Sequence, residues 1–327
     1  MGIQFLATGS YLPGDVVTND DLAKFLDTSD EWITSRTGIK TRHIAKGETT
    51  SDLAVEAARA ALSKSGISSQ QIGLVICASV SPDVSVPMIA AKVKRALGIE
   101  NAAAFDLNAN CSSFVYTTTT AYSLMQTCGY EYALIVGADT NSQIVDWTDR
   151  ATCVLFGDGA GAAVLAKTDA PGILATHLDC IIDHEDALNC ANKLNKTPFF
   201  DPDADESLQS RPNKIQMKGS KVMKFAIRAF TESAKIVAQK AGVQIADIKA
   251  IVPHQANLRI LSSAAKSLGV PLERFYVNID RVANTSAASV PTALDEAVQN
   301  GAIKRGDLVL LAAFGGGLSS GAVLLEW

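Results

Sequence analysis

The sequence predicts an α/β protein built from two similar halves, and three features carry that expectation. Amphipathic stretches alternate with short apolar runs, several of those runs are bounded by glycine, and the pattern returns after about 176 residues. With 327 residues, 47% of them hydrophobic and 19% charged, the chain can bury one large core or two closely packed ones.

Taken in order, Ser51-Asp-Leu-Ala-Val-Glu-Ala-Ala-Arg-Ala-Ala-Leu-Ser-Lys64 repeats apolar residues at helical spacing and leads into an apolar run of strand length, Ile72-Gly-Leu-Val-Ile-Cys-Ala78. Ala103-Ala-Phe-Asp-Leu-Asn-Ala109 predicts a buried strand that turns without a spacer into Cys111-Ser-Ser-Phe-Val-Tyr116. Tyr132 to Gly137 and Ala160 to Ala166 are almost wholly apolar, as strands covered on both faces should be. The second half echoes the first. Ile248-Lys-Ala-Ile-Val-Pro253 resembles Ile72 to Cys77, Val309 to Ala313 resembles the strand at 132 to 137, and Gly321 to Glu326 resembles Gly161 to Ala166. The halves are expected at 1–170 and 171–327, with Asn110-Cys-Ser-Ser falling within a few positions of Asn284-Thr-Ser-Ala under the duplication. Roughly Leu178 to Gly219 is less periodic and reads as a surface loop near the site entrance. Its acidic clusters, Asp183 to Asp186 and Asp201 to Glu206, lack the ligand spacing of a calcium loop and read as solvated.

A net charge of −5 gives no global attraction to nucleic acid or to an anionic membrane. The N-terminus lacks a basic segment followed by a long apolar one, and no run of about eighteen apolar residues occurs, so a cytoplasmic protein is expected. The six cysteines show no CxxC spacing, which suggests neither a disulfide framework nor a zinc cluster; Cys77 and Cys153, inside or beside apolar runs, read as small buried side chains.

Four segments combine polar chemistry with unusual backbone demands. Cys111 stands where a strand meets a helix, so its thiol would face the positive helix end, which favours the thiolate. His254 follows the strand-like run ending at Pro253, Ala283-Asn-Thr-Ser-Ala-Ala-Ser-Val-Pro291 opens a helix with small polar residues, and Phe314-Gly-Gly-Gly-Leu318 follows another strand. Each lies at the C-terminal end of a strand, where α/β proteins generally build their sites.

Together with Gly9-Ser-Tyr-Leu-Pro13, Thr28-Ser-Asp-Glu-Trp-Ile33, Arg36-Thr-Gly-Ile39 and Phe156-Gly-Asp-Gly-Ala-Gly161, these motifs make the chain resemble the β-ketoacyl-acyl-carrier-protein synthase III family of condensing enzymes, from Gly9 to Trp327. The resemblance implies the thiolase fold, two duplicated mixed-sheet halves in a five-layer αβαβα arrangement, and a homodimer. It implies a decarboxylating Claisen condensation of an acyl-CoA primer with malonyl-acyl-carrier protein, with the coenzyme A thioester as substrate and neither a further cofactor nor a metal.

The resemblance also assigns roles. Cys111 is the nucleophile, and the backbone N–H groups of Cys111 and Gly316 form an oxyanion hole. His254 and Asn284 donate hydrogen bonds to the enolate left by decarboxylation. Trp32 and Arg150 grip the adenine of coenzyme A, with Arg36 and Thr37 close by. Lys214, Lys218, Lys221, Lys224 and Arg228 make a basic stretch and Arg259 follows the His254 motif, and of these Lys221, Arg228 and Arg259 would form a basic rim for an acidic carrier protein. Val86 stands where many relatives place an aromatic that closes the acyl pocket across the dimer interface.

Other departures are Ser112 and Ser113, where alanine and glycine are common, Ala283, where glycine is common, and Leu178-Asp-Cys-Ile-Ile182 after His177. They leave the primer open and keep a specialised paralogue of polyketide or quinolone type as the alternative. A degradative thiolase would need a second cysteine near Phe314 to Ser320, where there is none, and a hydroxymethylglutaryl synthase would want a glutamate in the region preceding Pro87, where only Asp83 is acidic. A non-catalytic subunit is disfavoured by retention of Cys111, His254 and Asn284.

Overall fold

In a computed structural model, whose described residues are 2–191 and 213–327, the apolar runs assemble into two mixed sheets of matching plan. The first half supplies β1 (Gly2–Tyr11), a ribbon of β2 (Val16–Thr18) with β3 (Thr41–His43), then β4 (Leu74–Ala78), β5 (Ala103–Leu107), β6 (Tyr132–Thr140) and β7 (Asp158–Thr168). The second supplies β8 (Ile173–Cys180), a ribbon of β9 (Leu188–Cys190) with β10 (Ile215–Met217), then β11 (Ala250–Pro253), β12 (Leu308–Gly315) and β13 (Ser319–Glu326). The helices are α1 (Asn19–Ala23), α2 (Asp30–Thr37), α3 (Thr50–Ser65), α4 (Ile89–Leu97), α5 (Ser113–Cys128), α6 (Gly219–Ala241), α7 (Leu258–Leu268), α8 (Ile279–Val282) and α9 (Ser289–Gln299).

The first sheet runs β1-β7-β6-β4-β5, with β4 parallel to β5 and β6 and the remaining pairs antiparallel. The second runs β11-β12-β13-β8, and these strands occupy the places of β4, β6, β7 and β1 with the same parallel and antiparallel pairing. The place of β5 shrinks there to a single parallel bridge between Ile251 and Phe275. Leu74 and Ala250, Tyr132 and Leu308, and the helix starts Ser113 and Ser289 each stand 176 positions apart. By that register, the turn Asn110–Ser112 matches Ser286–Ala288, so Cys111 corresponds to Ala287 and Asn284 to Asn108.

Strand alternation then sorts side chains into layers. Leu74, Ile76, Ala133 and Ile135 share one core with Phe114 and Val115 of α5, Val290 and Leu294 of α9, and Leu311 and Val323 of the second sheet. Val75, Leu134 and Val136 pack outward on Leu53 and Ala57 of α3 and Ile89 and Val93 of α4. Leu310 and Leu324 pack outward on Phe230 of α6 and Leu261 of α7. The result is the five-layer thiolase-type arrangement, with α5 and α9 enclosed between the sheets. Close approach needs small residues: a Cβ on Gly161 would lie 2.7 Å from Pro291, so glycine lets α9 lie against β7. The outer helix α3 is set locally, by a Thr49–Asp52 capping box and by Gly66 in the left-handed conformation at its end, and it buries Leu53, Ala54, Ala57, Ala58 and Ala61 along one face.

Two expectations need correction. The strand before Cys111 is not fully buried: β5 is the edge of its sheet, and Ala103 and Asp106 are exposed while Phe105 and Leu107 lean on the core. The stretch from Leu178 to Gly219 is not all loop, since Leu178–Cys180 extends β8 and β9 pairs with β10. Asp201 to Glu206 lies outside the described residues. Among the described residues no helix is long and apolar enough to cross a membrane.

Candidate active site

Cys111 sits in the single 3₁₀ turn Asn110–Ser112 between β5 and α5, entered through Asn110 at φ +53°. Its Sγ lies 3.4 Å from the Ser286 hydroxyl, contributed by the matching turn of the other half. Burial pushes the thiol up to about 11, and the nearby Asp139 carboxylate adds to the shift while Ser286 opposes it. Burial thus opposes the helix-end effect that the sequence suggests, an effect of at most about 2 kcal/mol.

His254 leaves β11 directly, its N–H donating to Ala312 O at 2.9 Å, and its ring meets Phe314 edge-on at 5.1 Å. Burial drives its pKa down to about 3, so the imidazole is neutral. Its Nδ1 has no partner among the described residues. Asn284 is tied on both sides of its backbone, donating to Leu155 O and accepting from Gly157 N–H. Its Oδ1 accepts from Ser286 N–H at 2.8 Å, which orients the amide and leaves Nδ2 as the free donor. The preceding Ala283 adopts φ +58° and ψ −158°, a region that is nearly glycine-only.

The duplication exposes a difference between the two turns. In one half Asp139 at the end of β6 is fully buried; its Oδ2 accepts from Ala287 N–H at 2.9 Å, and its Oδ1 accepts from Ser79, Val80 and Ser81. The position matching Asp139 at the end of β12 is Gly315. A Cβ there would lie 2.8 Å from Cys111 N. The carboxylate that occupies Ala287 N–H thus has no counterpart opposite Cys111 N–H. Gly316 follows, its carbonyl accepting from Asn110 Nδ2 at 3.1 Å and Ser319 Oγ at 2.9 Å, which fixes the peptide beside the cavity.

Cys111, His254, Asn284, Phe314 and Gly315 line one cavity of about 300 Å³. Exposed Arg36 and Arg259, half-buried Trp32, and Met217 and Val222 also line it, so it opens to the surface between α2, α6 and α7. Trp32 is flanked by guanidinium groups, with Arg36 at 4.6 Å and Arg150 at 5.2 Å from its ring centre. Arg150 does not line the cavity; the backbone and carboxylate of Asp27 hold it beside the indole. Thr37 lines the cavity but its hydroxyl donates to Ile33 O and accepts from Ile39 N–H, so it closes α2.

The basic residues are less free than the sequence suggests. Lys221 pairs with Glu185, Arg228 lies 3.8 Å from Glu232, and Arg259 donates to Ser35 O at 2.8 Å. Val86 is 86% exposed and borders neither cavity at Cys111. Sequence reasoning missed the second of these, about 250 Å³, which shares Cys111, Phe156 and Leu188 with the first. It also missed Ser286 and Asp139. Ser286 sat two residues after Asn284 in a run already singled out, but only the fold brings it to the sulfur.

Comparison with known proteins identifies the family and the fold. Residues 105–180 match the family model described as 3-Oxoacyl-[acyl-carrier-protein (ACP)] synthase III, and residues 238–327 match the model of its C-terminal part. The chain is 45% identical over 325 residues to the beta-ketoacyl-[acyl-carrier-protein] synthase III of Clostridium beijerinckii, covering 99% of each. It is 46% identical over 327 residues to the protein of that name from Neisseria meningitidis serogroup A, covering 98% of each. The crystal structure of 3-oxoacyl-[acyl-carrier-protein] synthase III from Aquifex aeolicus superimposes with a TM-score of 0.92 at 42% identity, covering 100% of both chains.

Proposed function

The chain belongs to the 3-oxoacyl-[acyl-carrier-protein] synthase III family, a condensing acyltransferase of fatty-acid synthesis, and from that membership we propose how it works: Cys111 carries the acyl group while His254 and Asn284 stabilise the nucleophile that attacks it. An acyl-CoA enters past Trp32, with Arg36 and Arg150 beside the indole to hold the adenine. The sulfur attacks the thioester carbonyl, whose oxygen takes up charge against the N–H groups of Cys111 and Gly316. The carbon–sulfur bond to coenzyme A breaks, and the thiol proton of Cys111 leaves with coenzyme A as its free thiol.

Malonyl-acyl-carrier protein then occupies the same cavity. Its carboxylate leaves as carbon dioxide, and the electron pair passes to the thioester oxygen as an enolate. Two neutral donors suit that charge. Burial keeps His254 uncharged, and the bond from Ser286 N–H to Asn284 Oδ1 turns Nδ2 outward. The enolate carbon attacks acyl-Cys111, and collapse of the tetrahedral intermediate expels the sulfur as a thiolate, which takes a proton from water to restore the thiol, and releases β-ketoacyl-acyl-carrier protein. Lys221, Arg228 and Arg259 are the proposed contacts for the carrier protein; exposed surface pairs are worth about 1 kcal/mol or less, so Glu185 and Glu232 do not withdraw two of them from docking. A homodimer is proposed as well, supported by the exposed edge of β5 and by Val86.

The observation that carries the reading is that one cavity is lined by Cys111 from the first half and by His254 and Asn284 from the second. Incubation with malonyl-acyl-carrier protein and a panel of acyl-CoAs, followed by intact mass of the carrier protein, should reveal the β-ketoacyl adduct. Absence of that adduct with every primer would overturn the reading.

A further inference from the structure

We propose that the primer of this enzyme is a short acyl group bearing a hydroxyl, received by Asn141 in the second cavity; this rests on the condensing reading above. The second cavity touches Cys111, so an acyl group on Sγ can extend into it. Its walls are poor company for an alkyl chain. Asn108, Asn110, Asn141, Asn189 and Ser286 all border it, beside an apolar strip of Val80, Pro82, Ile144 and Phe156. Several of those groups are already paired, Asn110 Nδ2 with Gly316 O, Asn189 Nδ2 with Asp186 O and Ser286 with Cys111 Sγ, so what an alkyl chain leaves unmade is the bond to Asn141 Oδ1, at about 1–3 kcal/mol for a buried group left unpaired.

Asn141 points to the ligand's chemistry. The residue is fully buried, and its Nδ2 donates to Gly157 O at 2.8 Å, which fixes the orientation of the amide. Its Oδ1 is buried and has no partner among the described residues. Asn141 borders the cavity, so the group its wall can offer a ligand that reaches past the surface is an acceptor, and an acceptor selects a donor. Neutral acyl groups supply one most simply as a hydroxyl on the chain, while the apolar strip accommodates the intervening methylenes.

The test compares Cys111 acylation by 3-hydroxybutyryl-CoA, butyryl-CoA and acetyl-CoA, read by intact protein mass against time. The hydroxylated primer should exceed butyryl-CoA in kcat/KM by about tenfold or more, because a site built to bond a hydroxyl rejects the analogue lacking it. Asn141→Leu should erase that preference. Equal or faster acylation by butyryl-CoA, or an unchanged ratio in the folded variant, overturns the inference; should the variant fail to fold, the wild-type ratio decides alone. Failure of all three thioesters overturns the inference as well, and the condensing reading on which it rests falls only if no acyl-CoA of the wider panel acylates Cys111.

Discussion

Cys111 shows how strongly a pocket can override a sequence cue. A strand-to-helix junction is legible in Ala103 to Tyr116, and it predicts a helix end facing the sulfur. Enclosure by the rest of the fold is not legible there, and burial opposes the helix end. The consequence is measurable in the free enzyme. With a thiol near 11, alkylation of Cys111 by iodoacetamide should climb about tenfold per pH unit from pH 7 to 10 without levelling, since only the thiolate reacts. A plateau near neutral pH, mapped to Cys111 by peptide mass, would mean that the sulfur rests as thiolate. The neutrality of His254 is a matching case: a histidine after a strand is visible in the sequence, but its uncharged state comes from burial by neighbours such as Phe314.

At the scale of elements, a repeated turn is used in two ways. The turn 286–288 has its Ala287 N–H taken by Asp139, whereas the turn 110–112 faces Gly315, which brings no carboxylate to the Cys111 N–H. Gly315→Ala should therefore displace the Cys111 turn. Misplacement by a fraction of an ångström to one ångström costs about 10²-fold in catalysis, and the loss should fall on the self-acylation rate while thermal unfolding stays cooperative. Wild-type acylation in that variant would remove Gly315 from the argument. The strands were legible because runs covered on both faces are apolar throughout, as Leu74 to Ala78 illustrates. The edge position of β5 was not, because an edge differs from a centre by pairing rather than by composition. The β9–β10 ribbon was not either, since three-residue strands carry no period long enough to detect.

Across the whole molecule, duplication explains why residues far apart in sequence share one cavity. Each half brings a turn to the middle of the five layers, and the halves then specialise, one supplying the sulfur and the other the imidazole and carboxamide. The 176-residue echo made that convergence readable before any coordinates, whereas the second cavity was not, because its walls come from seven separate stretches of chain. The division of labour between the halves is the central claim. It is tested most directly by measuring the two half-reactions separately in three variants: acyl transfer from acyl-CoA to the protein, and condensation with malonyl-acyl-carrier protein. Cys111→Ala should lose both, while His254→Ala and Asn284→Ala should still acylate Cys111 and lose condensation by about 10²-fold or more. Equal loss of acylation and condensation in the His254 and Asn284 variants would contradict it.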